Sequence, residues 1–361
     1  MKIVHVETGR HLYGGAQQVA FLLDGLQRRG VDNLLVCPPD AAIGRHFAGS
    51  PVRVAPVSCW AGDIDIAFAL RLRRLLETER PDLVHLHSRR GADVMGAWGV
   101  HLAGLPCVLS RRVDNPEPRA WARLKYRLHD RVIAISQGIA EVLAAQGVPR
   151  EKLRVVRSSL DPRPWQRPET RADFAVQFGV PEDAVLIGVI AQLIPRKGHR
   201  VLFDALRQLP QRERVRVICF GRGALREKLQ RQAATLGDTV RFAGFRDDLP
   251  RWMGCLDLVA HPAWTEGLGV SLLQAAAASV PVLASRAGGL PEAVADGRTG
   301  LLVDPGDVPA WTEALARLVA NPDLRRQLGA RGRDRIEHEF SVDAMVDGNL
   351  AVYRELVAGP E

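Results

Sequence analysis

Short apolar segments alternate with longer amphipathic segments throughout the sequence. In the first half, strand-like runs rich in Val, Ile and Leu (KIVHVET, NLLVCPP, DLVHLHS, PCVLS and RVIAIS) are separated by helical runs such as AQQVAFLLDGLQRRG. The strand-like runs lack a strict alternation of polar and apolar residues, which is typical of parallel strands buried on both faces. The first half therefore predicts a doubly wound parallel sheet of the α/β class.

A proline-rich segment, SSLDPRPWQRPETRADF, interrupts this alternation and is the best candidate for a linker between domains. The alternation then restarts with AVLIGVIAQ, RVRVICFG, VRFAGF, LDLVAHPA, PVLAS and GLLVD. A chain of 361 residues also exceeds the size that one hydrophobic core usually serves. We therefore predict two α/β domains, residues 1–165 and 166–340, followed by a helical C-terminal segment.

The composition predicts a cytoplasmic protein. No run of apolar residues is long enough to span a bilayer, and the start, MKIVHVETG, turns polar too early for a signal peptide. The five cysteines are scattered without a Cys-x-x-Cys pair, and no group of His, Cys and Asp has the spacing of metal ligands. The sequence thus predicts reduced thiols, with neither a disulfide framework nor a metal site.

The net charge of +8 arises entirely within residues 1–165. The basic residues there include four clusters: Arg71, Arg73 and Arg74; Arg89 and Arg90; Arg111 and Arg112; and Arg119, Arg123, Lys125 and Arg127. Such clusters suit an anionic membrane surface, a phosphorylated acceptor or nucleic acid, and solvated helix faces explain them equally well.

Glycine-rich loops follow several of the predicted strands. Gly14 and Gly15 lie between the first strand and the first helix, where backbone N–H groups and the helix dipole can receive a phosphate; a tight turn alone is the simpler explanation. Gly221 follows a strand in CFGRGALREKL, but Arg226 stands where a dinucleotide-binding fingerprint has its third glycine. This departure, and the lack of a G-x-x-x-x-G-K-[ST] motif, argue against a nicotinamide cofactor and against a P-loop NTPase.

Charged side chains mark two further loops in the second half. Arg196 and Lys197 follow the strand AVLIGVIAQ, where two cations next to Gly198 can neutralise a diphosphate without a metal. Glu266 precedes the helical run VSLLQAAAAS, and Gln274 comes eight positions after it. At the rise of a helix, these eight positions are expected to span roughly 12 Å, about the reach from a sugar across a diphosphate to a ribose.

The order of the motifs GGAQQ, RKG, FAGF, TEGLGVSLLQAAAASVPVLAS and GGLPEAVADGRTGLLV resembles glycosyltransferase family 4 over nearly the whole chain. The resemblance implies a GT-B fold of two facing Rossmann-like domains, with the acceptor held by residues 1–165 and the nucleotide-sugar donor by residues 166–340. It also implies that a C-terminal helix, residues 341–358, crosses back to the first domain. The implied activity is a retaining, metal-independent glycosyl transfer that uses a nucleotide-diphosphate sugar and no cofactor.

The resemblance also implies roles for individual residues. Glu266 matches the first glutamate of the family's Glu-x7-Glu motif, which binds hydroxyl groups of the donor sugar, and Lys197 matches the pyrophosphate-binding lysine. Further donor contacts are expected from Gly14, Gly15, Gly221, Phe245, Gly267, Leu268, Gly269 and Gln274.

Three positions depart from the family's pattern. Gln274 stands where a second glutamate usually binds the ribose, and an amide can still accept one such hydrogen bond. Gln192 stands where an arginine usually contacts the diphosphate, so we expect Arg196 to supply that charge at the reacting centre. Arg112 stands where many relatives have a histidine near the reacting centre.

His87 and Arg111 are expected on the acceptor side. The expected acceptor is a glycan or glycolipid of the bacterial cell surface, such as a lipopolysaccharide core, reached from the cytoplasmic face of an anionic plasma membrane, and nucleic acid is not expected as a partner. Two alternatives remain open. One is a nucleotide-sugar epimerase of GT-B type, and the other is a non-catalytic nucleotide-sugar-binding relative in which the three departures are eroded catalytic positions.

Overall fold

The computed structural model describes residues 1–12, 14–60, 62–87, 91–166 and 168–357. The chain divides into two compact units. Unit 1 consists of residues 1–159 together with the C-terminal segment that begins at Val342, and unit 2 consists of Leu160–Ser341. The chain passes from unit 1 to unit 2 within the proline-rich segment. The predicted basic cluster of Arg89 and Arg90 lies outside the described residues.

Unit 1 contains a seven-stranded sheet in which all neighbouring strands are parallel. Its strands are β1 (Lys2–Val6), β2 (Asp32–Cys37), β3 (Arg53–Pro56), β4 (Leu83–Leu86), β5 (Cys107–Arg111), β6 (Arg131–Ala134) and β7 (Leu153–Val155). Its helices are α1 (Gly14–Arg28), α2 (Ala42–His46), α3 (Ile66–Glu79), α4 (Ala97–Leu102), α5 (Arg119–Tyr126), α6 (Gln137–Ala145) and α15 (Val342–Val357). The sheet order is β3-β2-β1-β4-β5-β6-β7, so the strand order reverses at β1, as in doubly wound folds.

Unit 2 contains a six-stranded sheet that is also entirely parallel. Its strands are β8 (Val185–Ile190), β9 (Val215–Phe220), β10 (Val240–Gly244), β11 (Leu258–His261), β12 (Val282–Ser285) and β13 (Gly300–Val303). Its helices are α7 (Arg171–Phe178), α8 (His199–Gln208), α9 (Arg226–Ala233), α10 (Leu249–Trp252), α11 (Val270–Ala277), α12 (Leu290–Ala293), α13 (Val308–Ala320) and α14 (Pro322–Glu339). The order β10-β9-β8-β11-β12-β13 reverses at β8. The predicted fold class, two Rossmann-like domains with parallel sheets, is confirmed.

The strands lack polar alternation because the central ones are covered on both faces. Every residue of β4, β5 and β11 is buried. Several helices begin where the sequence supplies a capping side chain. The Asp65 carboxylate accepts a hydrogen bond from the backbone N–H of Phe68 at 2.8 Å, and Asn321 caps α14 through the N–H of Leu324 at 2.9 Å. Pro322, which follows Asn321, stands at the first helical position, where its missing N–H costs nothing.

Among the described residues, no helix is both long and apolar enough to cross a bilayer. All five cysteines are free thiols.

The terminal helix α15 belongs to unit 1 and packs across α1. Met345, Val346 and Tyr353 join a buried cluster that includes Leu22 and Leu26 of α1. This packing requires small side chains where the two helices meet. A methyl group on the Cα of Gly25 would overlap with Cγ2 of Val346, because the two helices are in direct contact at that point.

Substitution Gly25→Ala tests this contact. Alanine favours a helix interior by up to about 1 kcal/mol, but forcing a methyl group against a β-branched side chain costs about 1–3 kcal/mol. We expect a lower free energy of unfolding for unit 1, measured by urea denaturation with far-UV circular dichroism. The double variant Gly25→Ala/Val346→Ala should lose less free energy of unfolding than the sum of the losses in the two single variants. Strictly additive losses would contradict the packing.

Candidate functional site

The two charged loops of unit 2 meet beyond the carboxyl ends of β8 and β11. Lys197 ends a short 3-10 turn, Pro195–Lys197, that follows β8, and Glu266 lies in the loop between β11 and α11. The Lys197 ammonium group donates a hydrogen bond to Oε2 of Glu266. Both side chains are largely buried, with 9% of the Lys197 side chain and 16% of the Glu266 side chain exposed. In open α/β sheets, ligands bind beyond these strand ends.

Three donors hold the Glu266 carboxylate. Besides Lys197, His261 Nε2 lies 3.2 Å from Oε2, and the backbone N–H of Gly267 donates to Oε1 at 3.2 Å. Burial by itself would raise the pKa of Glu266, but the hydrogen bond from His261 and the charge of Lys197 outweigh it and lower that pKa to about 2. Glu266 is therefore a carboxylate at any physiological pH, with lone pairs available for hydroxyl groups.

His261 contributes as a neutral ring. Burial, together with the charges of Lys197 and Arg196, lowers its pKa in spite of the hydrogen bond to Glu266. Because Glu266 is ionised and can only accept, the proton of the neutral ring must lie on Nε2. The His261 Nδ1 atom is buried and has no hydrogen-bond partner among the described residues. This histidine thus orients the carboxylate without adding a charge.

Backbone contacts fix the position of Arg196 beside Glu266. The N–H of Trp264 donates to the carbonyl oxygen of Arg196 at 2.8 Å, and the Arg196 guanidinium donates to the carbonyl oxygen of Thr265 at 3.2 Å. Gly198 permits this approach, since its φ is +67° and a methyl group on its Cα would overlap with the carbonyl oxygen of Pro262. The structure therefore brings both cations of the RKG motif to the loop that carries Glu266.

The helix after Glu266 begins later than the eight-residue spacing assumes. Helix α11 starts at Val270, after a Gly269 with a φ of +80°. Only the last part of the interval from Glu266 to Gln274 is helical, so the expected helical span is wrong. Gln274 is half-buried on α11, whereas the Leu268 side chain is 2% exposed and belongs to the core. A ligand could reach Leu268 only through its main chain.

Two more predicted donor residues lie after β9 and β10. The N–H of Gly221 donates to the carbonyl oxygen of Gly244 at 2.8 Å, and a side chain at Gly221 would overlap with the carbonyl oxygen of Ala191, in the loop that leads to Lys197. Phe245 is 56% exposed, and the Arg222 guanidinium lies 5.1 Å from the centre of its ring. An exposed aromatic face beside a cation is suited to stacking on a base.

In unit 1, helix α1 begins at Gly14, and Gly15 lies against Arg112. A methyl group on Gly15 would stand 3.4 Å from Cδ of Arg112. Burial lowers the pKa of the Arg112 guanidinium to about 10, although the charge of Glu7 opposes the shift. The Arg112 Nε atom is buried and has no partner among the residues that the structure describes. The structure thus places Arg112 against the GGAQQ loop.

His87 lies at the end of a buried chain of hydrogen bonds. Asn33 Oδ1 accepts from His5 Nε2 at 3.2 Å, and His5 Nδ1 lies 3.0 Å from His87 Nε2. The Asn33 amide nitrogen donates to Val31, which fixes the orientation of the amide. His5 therefore carries its proton on Nε2 and His87 donates to it, which leaves His87 Nδ1 as a buried acceptor without a described partner.

Sequence reasoning missed this histidine group. His5, His85 and His87 each offer a nitrogen within 4.8 Å of the others, a separation compatible with a metal ion. Burial lowers the pKa of all three, to about 3 for His5. The available signal was the His-x-His pair of DLVHLHS together with His5 on the neighbouring strand. Since hydrogen bonds to Tyr353 at 2.6 Å and Ser110 at 2.9 Å engage both nitrogens of His85, the rings fit a hydrogen-bond network better than a metal centre.

Arg111 has a different environment from the one expected of an acceptor-binding residue. It is 2% exposed, donates to the carbonyl oxygen of Asn115 at 2.7 Å and lies 3.6 Å from Glu117. The same Glu117 accepts from Lys125 at 3.0 Å. Two members of the predicted basic clusters, Arg111 and Lys125, are therefore buried in ion pairs and are not on a solvated helix face, which corrects the expectation for them.

Two family models together match most of the chain. The model described as "Glycosyl transferases group 1" matches residues 170–335, and the model described as "Glycosyltransferase Family 4" matches residues 13–163. The lipopolysaccharide core biosynthesis glycosyltransferase LpsE of Rhizobium meliloti (strain 1021) is 28% identical over 359 residues, which cover 97% of this chain and 98% of the relative. The D-inositol 3-phosphate glycosyltransferase of Salinispora arenicola (strain CNS-205) is 32% identical over 316 residues, or 78% of this chain and 70% of the relative.

A similar solved structure is the crystal structure of HepE from Anabaena in complex with UDP and glucose. It has a TM-score of 0.82 and 22% sequence identity, and the match covers 98% of this chain and 99% of that one. This likeness concerns the fold, which is that of the GT-B glycosyltransferases. The chain, with its two parallel-sheet domains, therefore belongs to glycosyltransferase family 4.

Proposed function

We propose that this glycosyltransferase moves a sugar from a nucleotide-diphosphate sugar, with retention of configuration, to a glycan or glycolipid of the bacterial cell surface. The observation that carries the proposal is the buried group of Lys197, Glu266 and His261 beside Arg196. It combines a permanently ionised carboxylate with two cations at the strand ends where ligands of such sheets bind. No cofactor or metal has a part in this scheme.

Glu266 would bind hydroxyl groups of the donor sugar. Its carboxylate already has both oxygens oriented by donors, so little reorganisation is needed when a sugar arrives. Lys197 would turn from Glu266 toward the diphosphate, or bind both, because an ammonium group has three donors. Arg196 and the backbone N–H groups of residues 267–269 would stabilise the charge that develops on the leaving diphosphate.

The nucleoside would lie along the loops after β9 and β10. Phe245 offers an exposed ring for the base, and Gly221 allows the backbone to approach closely. Gln274 would accept a hydrogen bond from a ribose hydroxyl in place of the usual carboxylate. In unit 1, Gly14 and Gly15 at the start of α1 would contribute N–H groups to a phosphate.

Acceptor binding would fall to unit 1. The permanent charge of Arg112 and the bare Nδ1 of His87 offer a donor and an acceptor of hydrogen bonds, while Arg111 would act indirectly through its ion pair with Glu117. We assign no general base, because in a same-face retaining transfer the leaving phosphate can accept the proton of the acceptor hydroxyl. The name of LpsE and the basic character of residues 1–165 support a lipopolysaccharide-type acceptor at the cytoplasmic face of the plasma membrane and not nucleic acid.

A donor screen tests the proposal. A panel of UDP-, GDP-, ADP- and TDP-sugars should contain at least one that raises the melting temperature, since a ligand that binds only the folded state stabilises it by mass action. NMR of the product formed from that donor should show the anomeric configuration of the donor. Epimerised donor as the only product would favour an epimerase, and binding without turnover with any acceptor would favour a non-catalytic relative.

Turnover should not depend on a divalent metal. Arg196 and Lys197, which both lie at the Glu266 loop, would supply the positive charge that a metal ion provides in other transferases. Donor hydrolysis or transfer, measured with excess EDTA after dialysis against chelator, should keep its rate. Complete loss of activity that magnesium or manganese restores would contradict this prediction.

Glu266 and Gln274 should have unequal roles. Glu266→Gln should lower kcat/KM by about 2–4 kcal/mol equivalent, the range for loss of a well-placed catalytic hydrogen bond, with nucleoside diphosphate affinity largely kept. Gln274→Ala should chiefly weaken the affinity for the free nucleoside diphosphate, measured by calorimetry. Gln208→Ala, at an exposed position at the end of α8, is the control. Equal nucleotide affinity in Gln274→Ala and the parent would remove the ribose role.

A further inference from the structure

Unit 2 contains a cavity of about 500 Å³ that is separate from the ion pair of Lys197 and Glu266. The cavity lies between α8 and α9, and the loops that follow β8, β11 and β13 contribute to its lining. Among the described residues, neither Lys197 nor Glu266 lines it. We call it the α8–α9 cavity. Its volume is within the range of small-molecule sites, roughly 300–1,000 Å³.

Trp264 lines the α8–α9 cavity and is 50% exposed. Its backbone N–H donates to the carbonyl oxygen of Arg196 at 2.8 Å, which anchors the residue beside the RKG motif. Gly306, in the loop between β13 and α13, has a φ of +80°, and a methyl group on its Cα would overlap with the indole ring of Trp264. Because a glycine stands at this position, the ring can lie against the loop.

Aliphatic side chains line the same cavity. Val201 of α8 and Leu229 of α9 are buried. Leu225, just before α9, and Val308, at the start of α13, are half-buried. Together with the indole ring, these side chains provide an apolar surface for the carbon–hydrogen groups of a ligand.

Polar side chains stand in pairs on the two helices. Arg200 and Asp204 are four residues apart on α8, and both line the cavity. Lys228 and Gln232 are four residues apart on α9 and also line it. Residues at this spacing lie on the same face of a helix. The cavity thus has a guanidinium and an ammonium group as donors, a carboxylate as an acceptor, and an amide that is both.

The charges that line the cavity nearly cancel. The Arg200 Nε atom lies 3.4 Å from Oδ2 of Asp204, and Lys228 adds one further positive charge. His199, which also lines the cavity, is neutral at physiological pH, because burial and the charges of His261 and Lys197 lower its pKa to about 4. A strongly anionic ligand is therefore not favoured, and a purely apolar ligand would gain nothing from the polar side chains.

A pyranose ring matches both kinds of surface. Its carbon–hydrogen face can pack on an indole ring, and each of its hydroxyl groups can both donate and accept hydrogen bonds. A carboxylate and an amide can therefore bind neighbouring hydroxyl groups of one sugar.

We propose that the α8–α9 cavity binds a pyranose unit of a glycan, which packs on Trp264 and hydrogen-bonds to Asp204 and Gln232. This site is additional to the proposed contacts of Glu266 with the donor sugar. The identification of the ligand as part of a glycan rests on the proposed function, because a second contact would hold the chain that is being extended at a high effective concentration.

Saturation-transfer NMR of the full chain with methyl glycosides tests the proposal. The methyl glycosides of glucose, galactose, mannose and N-acetylglucosamine keep the pyranose form and carry no phosphate. At least one of them should bind the parent with a millimolar Kd. Trp264→Ala and Lys228→Ala/Gln232→Ala should each weaken its binding about tenfold, whereas Trp264→Phe should keep most of the affinity.

Matched controls change similar side chains outside the cavity. Glu227→Ala/Arg231→Ala alters two residues at the same spacing on α9, with side chains that are 88% and 74% exposed. Trp98→Ala removes a tryptophan of similar exposure, 47%, from unit 1. Both variants should bind the glycoside as the parent does. Glu266→Gln should do so too, because Glu266 lies outside the cavity lining.

Four results would overturn the proposal. The first is a parent that binds none of the glycosides, and the second is parent-level binding by Trp264→Ala or by Lys228→Ala/Gln232→Ala. The third is an equal loss in the controls or in Glu266→Gln, which would assign the signal to another site. The fourth is binding of inorganic phosphate in place of any glycoside, abolished by Lys228→Ala, which would assign the cavity to an anion.

Failure of the sugar site and failure of the function give different results. Lys228→Ala/Gln232→Ala should keep the parent's rate of donor hydrolysis, because both residues lie outside the proposed donor site. Donor turnover without glycoside binding by the parent would overturn the sugar site and leave the transferase function intact. Glycoside binding that depends on Trp264, with no turnover of any donor, would support the sugar site and contradict the function.

Discussion

The ion pair between Lys197 and Glu266 is the contact on which the candidate site of unit 2 depends. Each charge lies in a loop at a different strand end, and neither is stable when largely buried without the other. The two loops can meet only where side chains are absent. Gly198 clears the carbonyl oxygen of Pro262, and Gly288, with a φ of +54°, lies against the backbone of Glu266. Glycines of the RKG and GGLP motifs thus allow the close backbone approach that this one ion pair requires.

His261 and Gly267 complete this arrangement by donating to the same carboxylate. The hydrogen bond from His261 and the charge of Lys197 keep Glu266 ionised in spite of burial, with the pKa at about 2. A carboxylate in this state accepts hydrogen bonds from hydroxyl groups but supplies no proton. That fits a group that orients a sugar and does not fit a general acid, so the electrostatics of the site agree with a transfer in which the leaving group handles the proton.

The fold was predictable because it depends on local patterns, and parts of the site were predictable because glycines and charges mark strand ends. The start of α11 was not predictable, because it depends on the left-handed backbone conformation of Gly269, which the sequence does not distinguish from its neighbours. Contacts between side chains that are far apart in the sequence were also not predictable from local patterns. His5 and His85 meet because β1 and β4 pair in register, and Lys125 resembles its exposed arginine neighbours until its carboxylate partners are known.

Both units bury a lysine in ion pairs with carboxylates, but the surroundings of the two ion pairs differ. Unit 2 concentrates a carboxylate and a lysine at a strand end, beside a further arginine, where a ligand with its own charges can exchange with the pair. Unit 1 instead uses its buried Lys125 to fix the rotation of a helix, and the consequence appears on the outside, where Trp121 and Leu124 face solvent. The buried ion pair of Lys125 thus determines which side chains of α5 are exposed.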